Sequence, residues 1–430
     1  MYTKLALTSI VICSSLALTA LGGDPVEQGI IGEIANAVEQ NYVYPDKGQA
    51  CAMRLKSMLD DGKLDEAQGE AMAGLIRAAL IDVTEDLHFN FQAMPEGWSP
   101  PSSEDEARQR QAPSAPYGFR TVERLDGNVG YIDLRGFNNA QYIAETVESA
   151  MRLVQGSDAL IFDLRQNGGG DPNAVALITS YLYDPSEPVH LNSLYSRPDD
   201  TTTEYWTRNS IDSSLAMPDV PVYVLTSRFT FSAAEEFSYN LRNLKRATII
   251  GETTGGGAHP VDQLLFHSDA TDRFYTLTLP TARAISPITG TNWEGVGVEP
   301  HIACEADDAL DQALLDAYSK SLKAGNEQAR FGLASINARL NPIELSENQM
   351  REYAGNYTDR EIQLKDGKLH YRRIGVSDFR PITCVGEDEF MIEGLTSFIL
   401  SFARDEQGKL THIDGIYQQG HRDRSLRASN

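Results

Sequence analysis

Between residues 27 and 81 apolar side chains recur at helical spacing. Ile30, Ile31, Ile34, Ala37 and Val38 share one face, and Tyr44-Pro45-Asp46 ends that run. Residues 50–59 and 68–81 repeat the pattern, so three helices are expected before residue 95. The period then changes to two. Residues 118–124 and 129–134 alternate across Asp126-Gly127 and predict a hairpin. Residues 140–153 predict a helix, 159–164 a buried strand, 172–183 a helix and 222–225 another buried strand. A helix over residues 232–245 and a strand over 247–250 follow. This β-α-β-α alternation implies an α/β core with right-handed crossovers. Strands at 274–279 and 281–285 and one long helix over 307–340 complete it. From residue 348 short alternating segments, 362–364, 368–373, 389–392, 398–403 and 412–417, are parted by turns such as Asp366-Gly367. They predict a small antiparallel β domain.

One junction in this pattern carries chemical potential. Val222-Tyr223-Val224-Leu225 leads through a short turn to Ser232 at the head of a helix. Serine there is commonly an N-cap. The same position also holds a hydroxyl at a sheet edge, beside free amides and the positive helix end that favour an oxyanion. Glu235 and Glu236 suit that end of the dipole. Gly255-Gly256-Gly257 follow the next strand as a loop.

Composition narrows the function classes. The net charge of −24 speaks against nucleic acid and against an anionic membrane surface. Residues 1–23 pair Lys4 with a short apolar run and small residues, the pattern of a cleaved secretory signal, and imply a periplasmic or secreted protein without a stable membrane anchor. Cys51, Cys304 and Cys384 would remain. They allow one disulfide but no disulfide framework. No CxxC or HExxH occurs, so no metal or other cofactor is expected. Residues 96–116, rich in Pro, Ser and charge, predict a linker.

Four motifs in order identify a resemblance. DLRQNGGG (163–170), TFSAAEEF (230–237), GETTGGG (251–257) and NWEGVGVEP (292–300) resemble the S41 serine peptidases. These include the tail-specific proteases, the tricorn core protease and the retinoid-binding-protein repeats. The resemblance implies a crotonase/ClpP-like core with Ser232 as nucleophile, and an oxyanion hole from the amides of Ala233 and of Gly168 or Gly169. Tail-specific proteases carry a lysine base in the glycine loop. Gly257 stands at that position, which speaks against a Ser-Lys dyad. Lys245 reads as a solvated charge at the helix end. The tricorn-like branch instead has a histidine in a D-x-H segment, here Asp86-Leu87-His88, and a glutamate matched by Glu294. The resemblance therefore implies Ser232, His88 and Glu294, with His88 taking the serine proton and Glu294 fixing the imidazole. Tricorn's serine before its histidine is replaced by Leu87. His259 is the rival base, or lines the substrate cleft with Gly256 and Gly257. Ser227 is the lesser alternative nucleophile. Asp163 and Arg165 are expected to brace the glycine loop. No PDZ-like stretch is evident.

The expected organisation is a signal (1–23), an N-terminal helical domain (24–95), a linker (96–116), an α/β peptidase core (117–340) and a small C-terminal antiparallel β domain (341–430). The expected function is hydrolysis of a peptide or protein substrate through an acyl-enzyme on Ser232. The alternatives are a carrier of an apolar ligand and a small-molecule ester or amide hydrolase. The oligomeric state stays open.

Overall fold

The computed structural model describes residues 28–64, 67–102 and 117–428. The expected signal and most of the expected linker lie outside the described residues. Three helices open the chain: α1 (Gln28–Asn41), α2 (Pro45–Asp60) and α3 (Gly69–Thr84). Pro45 starts α2 where no amide partner is needed, and Glu85 ends α3 in the left-handed conformation. Their apolar faces meet Phe89 and Phe91, the latter on strand β1 (Asn90–Ala93).

The central sheet contains β2 (Phe119–Leu125), β3 (Val129–Leu134), β4 (Ala159–Asp163), β7 (Val222–Thr226), β8 (Ala247–Gly251) and β12 (Ile302–Ala303), in the order β12-β8-β7-β4-β3-β2. All neighbours are parallel except β2, which forms the expected hairpin with β3. Strands β3, β4 and β7 are buried along their whole length, because both faces of a parallel sheet are covered. Helices α4 (Ala140–Val154), α5 (Pro172–Ser180) and α6 (Ala233–Asn243) cover one face. Helices α7 (Ala309–Lys323) and α8 (Ala329–Leu340) cover the other. The single helix expected over 307–340 is thus two, parted at Gly325, whose φ is +94°.

Two smaller sheets flank this core. β5 (His190–Ser196), β6 (Thr201–Trp206) and β11 (Ala282–Ile285) form one. β9 (Val261–Ser268) and β10 (Arg273–Pro280) pair with β1 to form the other. This second sheet changes the expected organisation. Phe266, Tyr275, Leu277 and Leu279 pack into the core of the N-terminal helices, so that unit draws on residues far beyond 95. Three short helices leave an apolar face that β1 alone is too small to cover, and the β9–β10 hairpin covers it.

The last unit is an eight-stranded antiparallel meander, order β13 to β20, entered through helix α9 (Glu347–Tyr353). Its strands are β13 (Gly355–Asn356), β14 (Arg360–Lys365), β15 (Lys368–Arg373), β16 (Arg380–Gly386), β17 (Glu389–Ile392), β18 (Leu395–Arg404), β19 (Leu410–Tyr417) and β20 (Arg422–Leu426). Its inner face carries an aromatic core. Met391, Ile399 and Ile416 on the outer face pack against Phe331 and Ala334 of α8.

Candidate active site

Parallel strands deliver their following loops to one edge of a sheet. Here the loops after β4, β7 and β8 meet there. Residues 227–231 after β7 are held from both sides. Phe231 donates its amide to Asn167 O (3.1 Å), and Thr230 donates its hydroxyl to Leu164 O (2.8 Å), both after β4. Gly255, after β8, donates to Thr230 O (2.9 Å). Ser227 is buried and its hydroxyl donates to Arg165 O (2.5 Å), so it is engaged in this clamp. Lys245 is exposed at the far end of α6.

Ser232 follows, half-buried, with φ +54° and ψ −123°. A side chain at such a φ is strained and persists only where its surroundings enforce it. Glu235 supplies the enforcement. It points back across the helix start rather than only suiting the dipole. One carboxylate oxygen accepts from Ser232 N (2.9 Å) and Gly257 N (2.7 Å), the other from Gly256 N (2.7 Å) and the Thr254 hydroxyl (2.5 Å). Burial pushes its acid up, and these donors pull it down. Glu235 therefore binds the serine turn to the glycine loop.

Glycine is required twice here. A Cβ on Gly169 (φ +110°) would stand 2.7 Å from Ser232 Cβ and 2.9 Å from Ala233 N. A Cβ on Gly257 would stand 2.2 Å from Phe231 Cζ and 2.6 Å from His88 Cε1. The loop at 168–170 therefore lies directly on the serine. Gly169 differs from the expectation as an oxyanion donor: its amide donates to Asn167 Oδ1 (2.9 Å). The Asn167 side-chain amide donates to Leu134 O (2.9 Å). The space beside Gly168 is open. Arg165 and Asp163 form a close pair (2.6 Å), and Arg165 also reaches Ala306 O (2.7 Å). They anchor the loop's base to the chain after β12.

His88 comes from the N-terminal unit. Its ring lies 4.6 Å from that of Phe231, centroid to centroid, and against Gly257. His88 thus packs on Phe231, the residue before Ser232, and on Gly257, whose amide shares a Glu235 oxygen with that of Ser232. Both ring nitrogens of His88 are buried without a hydrogen-bond partner among the described residues. Asp86 stands behind. It accepts from His88 N (3.0 Å), from His259 Nδ1 (2.6 Å) and from the Tyr42 hydroxyl (3.2 Å), and lies 3.5 Å from His88 Nδ1. Burial pushes the Asp86 carboxyl up, but the hydrogen bonds from His259 and His88 outweigh it and hold the acid far below the usual range.

The structure pairs the acids and histidines differently from the expectation. Glu294 does not meet His88. It accepts from Ala258 N (2.6 Å) and lies 3.5 Å from His259 Nδ1. Burial, then the charge of Asp86, pushes its acid up to about 8. The Asn292–Pro300 loop also clamps the glycine loop, through Trp293 Nε1 to Gly257 O (2.7 Å) and Gly295 N to Gly256 O (2.9 Å). Atoms of Asp86, His259 and Glu294 lie within 4.8 Å of one another, close enough to share a cation. The atoms concerned are already in use: His259 Nδ1 donates to Asp86, which also takes Tyr42, and Glu294 accepts the Ala258 amide. Asp86 is the residue that sequence reasoning passed over. Its signal was the D-x-H spacing itself.

The model of peptidase family S41 matches residues 128–304. This segment is a peptidase family S41 core. Over 189 residues the chain is 28% identical to the tricorn protease of Thermoplasma volcanium, covering 43% of this chain and 16% of that one. Over 147 residues it is 32% identical to the tail-specific protease of Haemophilus influenzae, covering 32% and 19%. Over 130 residues it is 34% identical to a carboxyl-terminal-processing protease of Synechocystis, covering 30% and 28%. The chain spans 16% to 36% of the lengths of such relatives. The S41 segment holds Ser232 and all three loops around it; His88 and Asp86 lie outside. No described helix is long and apolar enough to cross a membrane.

Proposed function

We propose that the protein is a serine peptidase that cleaves peptide or protein substrates through an acyl-enzyme on Ser232. The observation that carries this reading is the strained serine turn, bound by Glu235 to a glycine loop against which the buried ring of His88 is packed, with Asp86 3.5 Å from its Nδ1. His88 takes the Ser232 proton as Oγ attacks the scissile carbonyl, and passes it to the leaving amine. Water then hydrolyses the ester by the same route. The oxyanion sits between the amides of Gly168 and Ala233, the latter at the positive end of α6. Asp86 orients His88 and stabilises its cation, a part the family resemblance gives to Glu294. Glu294 supports His259, which lines the cleft with Gly256 and Gly257. The signal-like residues 1–23 support action outside the cytoplasm, and the core follows the crotonase/ClpP-like plan.

The test is digestion of casein together with labelling by an organophosphonate. Ser232→Ala should lower kcat/KM by roughly 10⁴-fold or more and abolish labelling. A label mapped to another residue would sink the assignment.

A further inference from the structure

The C-terminal meander is a curved sheet with one end closed and one end open. Alternation directs every second side chain inward: Tyr371 and Arg373 on β15, Arg380 and Ile382 on β16, Phe390 and Ile392 on β17, Phe398, Leu400 and Phe402 on β18. Register brings these into rows. Tyr371 faces Arg380, Ile382 faces Ile392, and Phe398 faces Tyr417. At one end Tyr353 from α9 stacks edge-on with Phe390 and Phe402, and Tyr357 packs on Phe402. That end is plugged. At the other end lies a cavity of about 240 Å³, lined by Tyr371, Ile392, Leu395, Phe398 and Tyr417.

Three features of this mouth point to a ligand. Its apolar lining continues outward onto Val376, 75% exposed, and the neighbouring Ile374, 48% exposed. A soluble surface gains nothing from exposing two such side chains beside an apolar cavity. Two arginines line it and no acid does, on a chain of net charge −24. Of the two, Arg373 is committed to Asp359 (2.9 Å) and Asp423 (3.3 Å). Arg380 is exposed, makes no ion pair among the described residues, and donates only to the Glu393 carbonyl. Arg380 lines the mouth, and no carboxylate lines it alongside.

We propose that this mouth binds a small amphiphilic carboxylate, its apolar body against Ile392, Leu395 and Phe398 and its headgroup on Arg380. The volume lies below the ~300 Å³ at which drug-sized pockets begin, so a single medium-length chain is the fitting size. A barrel mouth is a natural place for one small ligand. The guanidinium supplies a paired, charge-assisted contact for the carboxylate. The site is remote in sequence from Ser232 and stands whether or not the peptidase reading does.

The experiment is titration calorimetry of the full chain with octanoate, and with octanol and octylamine as neutral and cationic partners of equal length. Saturable octanoate binding with Kd below about 1 mM is expected, tighter than octanol, with octylamine weakest. Arg380→Gln should weaken octanoate about tenfold, the worth of one charged hydrogen bond, and leave octanol unchanged. Val376→Asp, at an exposed position that the fold does not need, should weaken octanoate as well and spare octylamine. Absence of saturation, equal binding of all three compounds, or undiminished octanoate binding by both variants would overturn the proposal.

Discussion

The loop cluster at the edge of the central sheet and the inner face of the C-terminal meander both bury charge, and they assemble its partners differently. In the meander Arg360 is fully buried, with its two terminal nitrogens on Ser425 and Asp423. Arg373 and Tyr417 join the same Asp423. The partners sit on strands of one sheet, held by its ladder. At the sheet edge, Asp86 arrives from the N-terminal unit, Ser232 from the loop after β7, His259 and Glu294 from beyond β8. There both nitrogens of His88 and Nε2 of His259 make no hydrogen bond among the described residues, with Asp86 3.5 Å from His88 Nδ1; in the meander Arg360 Nε alone is left so. Buried polar groups are ordinarily paired. In the meander every charged partner comes from strands of one sheet, whereas at the sheet edge open basic nitrogens collect where separate chain segments meet, the setting in which perturbed titratable groups often serve function.

The contrast can be broken at its most consequential point. Asp86→Asn should lower kcat/KM on casein-derived peptides by on the order of 10³-fold, as the loss of an orienting carboxylate does. Glu294→Gln should cost less than about tenfold, because a raised acid already carries its proton near neutral pH. The reverse order of the two effects would return the orienting role to Glu294. Circular dichroism spectra should be unchanged in both.

A second variant asks whether the meander's charges are only structural. Arg360→Ala removes the buried guanidinium from Ser425 and from Asp423, which keeps Arg373 and Tyr417, and should cost about 1.5–3 kcal/mol, read as a lower urea midpoint for the C-terminal unit. Hydrolysis at Ser232 below that midpoint should be unaltered. Loss of activity with the fold intact would show that the two regions are coupled.

The smallest effect concerns Glu236, buried on α6 one turn beyond Ser232. Burial pushes its acid up to about 8; Asn192 and Asn240 pull it down, and the charge of Asp171 adds to the rise. The folded state therefore holds this proton more tightly than the unfolded chain. Its contribution is whole below the ordinary carboxyl range and is lost as pH rises toward 8, by at most about 1.4 kcal/mol per pH unit. Glu236→Gln should flatten the fall in Tm between pH 5 and 8. An identical slope in both proteins would place the ionisation elsewhere.

Much of the architecture was legible because it is local. Period-two alternation after residue 348 announced the meander, and continuous apolar runs announced β4 and β7. The hairpin at Asp126-Gly127 is a turn preference written in two residues. Strands β5, β6 and β9 escaped notice because their polar and half-buried positions leave no clean alternation. Strand β12 is two residues long.

What the sequence determined by itself was the set of chemical parts: a serine at a strand-to-helix junction, glycines where a backbone must pass at contact distance, and a D-x-H segment. Side-chain periodicity and backbone permissiveness act over a few residues, so they can be read from a few residues. Which acid serves which histidine was decided only by the tertiary structure. Asp86 and His259 are joined at 2.6 Å across 173 positions. Their meeting depends on the β9–β10 hairpin completing the N-terminal unit against the glycine loop. The same holds for Gly169, whose amide is taken by Asn167, and for Arg380, left unpaired at a barrel mouth. Pairing of buried charge is settled by what remains within about 3 Å once apolar faces have closed, and no spacing along the chain encodes that.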